Sequence, residues 1–91
     1  MSFEAHYKNI EIEFKNLFSQ VKGVLTSAEF EGVQEYIDAC EYGLALDNFI
    51  GIIVEENKLI SQASFEQVLK IASLMSMDQK SIGNDLSPFI K

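Results

Sequence analysis

The segment from Leu44 to Val54 constrains this chain more than any other. Leu44, Leu46, Phe49, Ile50, Ile52, Ile53 and Val54 fall within eleven positions. Wound as a helix of about 100° per residue, they cover more than half the circumference, so such a helix has to be packed by neighbours on several sides. The β-branched run Ile52–Val54 would also suit a strand. No second segment alternates apolar and polar residues to pair with it, and an isolated strand is not viable. The fold is therefore expected to be all-α, arranged around a central helix over roughly 44–57. Gly51 inside that helix costs about 1 kcal/mol relative to alanine, and is expected to admit another helix at close range.

The remaining segments supply those neighbours. Tyr7, Ile10, Phe14, Leu17 and Val21 are spaced 3, 4, 3, 4, which predicts a first helix over 5–22 with Phe18 widening the stripe. Gly23 follows and can adopt the left-handed conformation that ends a helix. Thr26-Ser27-Ala28-Glu29 matches a capping box and starts the second helix, with Leu25 and Phe30 placed to staple its start. Phe30, Val33, Ile37 and Cys40 form its predicted buried face, and Gly43 is its predicted break, where helices two and three would meet tightly. Ser61 is the expected N-cap of a fourth helix, with Ser64 as the competing start; Phe65, Val68, Ile71, Ala72 and Met75 form its apolar face. Beyond Met77-Asp78, the residues Gly83, Asn84 and Ser87-Pro88 oppose helix. Ile82, Leu86, Phe89 and Ile90 nevertheless suit packing on the core. The expectation is one domain over 1–91, a small antiparallel four-helix bundle with a partly ordered C-terminal tail.

Charge narrows the function. Fourteen acids face seven lysines and no arginine, for a net charge of −7. That field disfavours direct nucleic-acid and anionic-membrane contact and favours basic partners. No uninterrupted apolar run approaches the roughly 20 residues of a membrane helix. No basic segment followed by an apolar one marks a secretory leader. A single cysteine fits a reducing compartment. A cytoplasmic location is expected.

Catalytic or cofactor equipment is not apparent. His6 has no recognisable nucleophile or orienting acid beside it in sequence. Cys40, flanked by Asp38 and Glu41, lacks the electropositive setting a reactive thiolate needs and is expected to be a buried small hydrophobe. No calcium-loop pattern, Glu-x-x-His pair or glycine-rich phosphate loop occurs. No enzyme activity, metal or cofactor is expected. The size, acidity and helicity resemble those of acyl carrier proteins, but their Asp-Ser-Leu motif is missing; Asp85-Leu86-Ser87 has another order and precedes Pro88.

The acids themselves are organised. Eight of them (Glu29, Glu31, Glu35, Asp38, Glu41, Asp47, Glu55, Glu56) lie between Thr26 and Asn57, where there is no lysine. Glu31, Glu35, Asp38 and Tyr42 fall on one outward face of the second helix. Glu31/Glu35 and Glu35/Asp38 are like-charge neighbours, each pair costing a few tenths of a kcal/mol. Tyr36 and Tyr42 add aromatic anchors of the kind enriched at binding hot spots. Glu31, Glu35, Asp38, Glu41, Tyr42 and Asp47, together with Tyr36, are the candidate contacts for a basic protein.

Glu41-Tyr42-Gly43-Leu44-Ala45-Leu46 resembles a segment of the MafI-type immunity proteins of bacterial polymorphic toxin systems. In that family the segment leads into an amphipathic helix, here Asn48–Glu56. A short polar loop follows (Asn57–Ile60), then a serine opening the last long helix (Ser61) and an aromatic on that helix (Phe65). The resemblance spans roughly 33–78. The family often has a glycine near the end of helix four, where this chain has Ser76. The resemblance implies a cytoplasmic protein that binds a cognate toxin domain, often a nuclease, and blocks it. A nuclease is basic where it holds nucleic acid, so an acidic inhibitor suits it. A helical adapter or anti-regulator of another basic protein is the alternative, and a small-ligand carrier using the bundle core is a second one.

Overall fold

The computed structural model describes residues 3–91; Met1, where a secretory leader would begin, and Ser2 lie outside it. Five α-helices follow in order: α1 (Phe3–Gln20), α2 (Ser27–Asp38), α3 (Tyr42–Glu55), α4 (Gln62–Leu74) and α5 (Gln79–Leu86), with a 3-10 turn at Ser87–Phe89. Among the described residues there is no strand, and Ile52–Val54 is helical. The all-α expectation stands, and the four-helix count misses α5.

The core forms where the apolar stripes converge. α3 contributes Tyr42, Ala45, Leu46, Phe49, Ile50 and Ile53, more buried residues than any other helix. It packs against α2, α4 and α5, and α1 packs on α4. Ile10, Phe14 and Leu17 enter from α1, and Val33 and Ile37 from α2; Val68, Ile71 and Ala72 come from α4. Polar latches supplement this packing. Gln67 of α4 donates to the Glu13 carbonyl at 2.9 Å and to its carboxylate at 2.8 Å, and Lys70 approaches the same carboxylate at 3.3 Å. The Gln67 contact first, then Asn16 and Lys70, hold the Glu13 carboxyl below its ordinary range.

Helix starts follow the sequence closely. Thr26 Oγ1 accepts from the Glu29 amide at 3.1 Å, and the Thr26 amide donates to the Glu29 carboxylate at 2.9 Å, completing the capping box. Lys58 ties this corner to the end of α3, donating to the Val24 carbonyl at 2.8 Å and pairing with Glu29 at 3.1 Å. Ser61 caps α4 by accepting from the Ser64 amide at 3.1 Å, and Ser64 is buried inside the helix rather than opening it.

Helix ends depart from the sequence expectation. Gly23 has φ +83° after α1, as expected. α2, however, stops at Asp38 and not at Gly43. The Cys40 amide donates to Ile37 at 2.9 Å and the Glu41 amide to Tyr36 at 2.8 Å, the two bonds of a Schellman motif. α3 and α4 end the same way, with amides of Asn57 and Lys58, then of Ser76 and Met77, reaching back. Cys40 (φ +58°), Asn57 (φ +54°) and Ser76 (φ +56°) take the left-handed position that glycine usually occupies. Gly43 instead lies in the first turn of α3, where an added Cβ would meet nothing within 4 Å, and the same holds at Gly51. Neither provides the close approach expected of it. At Gly32 of α2 an added Cβ would make ordinary contact with the Asn48 side chain, at 3.5 Å.

The C-terminal segment is more ordered than its glycine and proline suggest. Asp78 caps α5 by accepting from the Lys80 and Ser81 amides at 3.1 and 3.2 Å. Ile82 and Leu86 are buried. The Ile60 amide then donates to Phe89 at 2.8 Å, and the Lys91 amide to Ile60 at 2.9 Å, a two-bond zipper between the chain end and the α3–α4 connection.

Candidate functional site

The predicted contact residues separate into two groups. Glu31, Glu35 and Asp38 lie on the outward face of α2, opposite Val33 and Ile37, because a 3.6-residue period carries positions 31, 35 and 38 away from 33 and 37. All three are exposed. Asp38 accepts from Gln34 at 2.9 Å and borders a small cleft shared with Glu11 and Lys15. Tyr36 is exposed on the flank of α2. Among the described residues none of Glu31, Glu35, Asp38, Glu41 and Asp47 forms an ion pair. This exposed acidic edge of Glu31, Glu35 and Asp38 is the ridge.

The second group surrounds an open depression of about 560 Å³ at the start of α3. Glu41 and Asp47 both line it, with Leu44, Tyr7, His6 and Cys40. The structure therefore joins Glu41 to Asp47 and leaves Glu31 and Glu35 on a different face. The surrounding apolar residues were placed elsewhere by sequence. Leu44, expected in the core, is 49% exposed, and Tyr7, expected on the buried stripe of α1, is 40% exposed. Cys40, expected to be buried, is exposed. The early end of α2 explains Leu44 and Cys40: the left-handed turn at Cys40 takes Cys40 off the α2 stripe and resets the phase of Leu44.

Tyr42 requires the clearest correction. Expected on the outside of helix two as a contact, it is the first residue of α3 and only 5% exposed. Its ring packs on Tyr7 at a centroid distance of 5.5 Å, and its hydroxyl donates to the Glu11 carboxylate. Burial first, then that carboxylate and Cys40, push its pKa well above the ordinary value of 10. Tyr42 thus fastens the α2–α3 corner to α1. Phe30, expected on the buried face of α2, is 38% exposed and meets Phe18 edge-on at 4.8 Å.

Exposed carboxylates thus stand beside exposed apolar area at Tyr36, and at Tyr7 and Leu44. Among the described residues no cluster of histidine, cysteine, aspartate and glutamate is placed to hold a metal ion, and no helix is long and apolar enough to cross a membrane. No family model, curated protein or solved structure matches this chain.

Proposed function

We propose that this chain is a cytoplasmic, non-enzymatic immunity protein of the MafI type, which binds a cognate basic toxin domain, a nuclease, and neutralises it stoichiometrically. The observation that carries the proposal is the set of exposed acids Glu31, Glu35, Asp38, Glu41 and Asp47, none in an ion pair among the described residues. Like charges held side by side cost stability, and a basic partner relieves that cost. Tyr36, with Leu44 and Tyr7 beside Glu41 and Asp47, supplies the apolar part of the contact; Tyr42 holds the corner in place from beneath. In this reading α1–α4 run as an antiparallel bundle, which the short connections 21–26, 39–41 and 56–61 favour.

The test is co-expression with the neighbouring open reading frame. Growth arrest by the neighbour alone, relieved by this chain, is the expected result; arrest without relief refutes the immunity role. In the purified complex, Glu35→Gln with Asp38→Asn should slow association and flatten its salt dependence. An unchanged rate would move the interface off α2.

A further inference from the structure

An open apolar groove of about 630 Å³ lies where α1 ends and α2 begins. Phe18, Val21, Leu25 and Phe30 line it, with Phe30 set edge-on against Phe18. Lys15 and Lys22, both exposed, are the charged residues of its lining, and among the described residues no carboxylate contributes to it. Among the described residues Lys58 and Lys70 form ion pairs, and Lys15 and Lys22 are among the lysines that do not. Lys15 also borders the cleft containing Glu11 and Asp38 and pairs with neither. The groove therefore has a local charge opposite to that of the whole chain.

We propose that this groove binds a soluble single-chain amphiphile with an anionic head, independently of the toxin-binding reading. The apolar chain would lie on Phe18, Val21, Leu25 and Phe30, and the head would pair with Lys15 and Lys22. The volume falls in the range of small-ligand sites, about 300–1,000 Å³. Charge selects the free molecule over the same head group in a bilayer. An anionic surface repels a chain of net charge −7, whereas one small anion in the groove pairs directly with Lys15 and Lys22, and Glu11 and Asp38 lie in the neighbouring cleft rather than in the groove lining.

Decanoate below its micellar concentration, titrated into the ¹⁵N-labelled full chain, tests the proposal. Saturable amide shifts confined to Gly23, Leu25, Phe30 and their neighbours are expected. The double variant Lys15→Gln/Lys22→Gln, with both sites exposed and the fold checked by circular dichroism, should bind about tenfold more weakly. Decanol should lose a similar factor against the parent chain. Equal binding of decanol and decanoate, or an unchanged affinity of the double variant, overturns the ionic part of the assignment. Shifts that scatter over the surface or fail to saturate overturn the site. Sedimentation with phosphatidylglycerol vesicles without binding of monomeric decanoate overturns the choice of a soluble ligand.

Discussion

The groove draws on the start of α2 and the ridge runs along its outward face to its end, and they differ in what the fold asks of them. At the groove end, the start of α2 is fixed by a full capping box and by Lys58 reaching over from the end of α3. Its apolar lining, including Phe18 and Leu25, is an extension of the core. At the ridge end, the exposed acids make no ion pair among the described residues, and the helix stops through a left-handed Cys40. The groove is thus made from residues the protein needs in order to fold. The ridge is made from residues folding could do without, which leaves them free to be selected for binding.

Replacing Phe14 should have the largest effect. It is 1% exposed and lines the cleft between Asp38 of the ridge and Phe18 of the groove. Phe14→Ala should cost about 3–5 kcal/mol in urea unfolding and disturb both regions together. A loss below about 1 kcal/mol would mean that the two regions do not share a floor.

The two ends of α2 should then respond with opposite signs. Thr26→Ala removes the cap and should destabilise by about 1 kcal/mol. Cys40→Gly removes the side chain from a left-handed residue and should stabilise by about 0.5–1 kcal/mol. Thermal melts of both variants decide the matter; a destabilising Cys40→Gly would show that the thiol contributes more than its backbone conformation costs.

Alkaline titration sharpens the contrast further. Because Tyr42 has a raised pKa in the folded state, its contribution is complete below pH 10, the ordinary tyrosine value, and declines as pH rises beyond it. Absorbance at 295 nm should show a component ionising well above pH 10, and Tyr42→Phe should remove it. The acid limb has the reverse sign. Glu29, lowered first by its bond from the Thr26 amide, stabilises above its ordinary value of 4.5, and that contribution fades as pH falls below it. The smallest effect belongs to the ridge. Glu35→Gln should leave stability unchanged or raise it by a few tenths of a kcal/mol by relieving Glu31 and Asp38. A loss above 1 kcal/mol in the same urea assay would make the ridge part of the fold.

The helix content, the capping box, the Ser61 cap and the central place of α3 were all legible in the residues. Each rests on local spacing or on a side chain bonding to its own backbone three positions away. The outward acids Glu31, Glu35 and Asp38 were legible for the same reason. α5 was obscured because Gly83 and Asn84 weaken its local signal, while burial of Ile82 and Leu86 against α3 and α4 outweighs that weakness. Tyr42 and Leu44 were misplaced because their phase depends on where α2 stops, and Cys40 is not a residue whose local preference announces a left-handed turn.

By itself, then, the chain determined an all-helical domain with a lysine-free acidic segment from Thr26 to Asn57. It did so because periodicity, capping and charge are properties of neighbours in sequence. Only the tertiary structure decided that Tyr42 is buried against Glu11 and that Glu41 joins Asp47. It also decided that Lys15 and Lys22, in no ion pair among the described residues, stand beside Phe18 and Phe30. Those outcomes depend on the left-handed turn at Cys40 and on contacts between helices, where packing across the chain overrides the preference of any one residue.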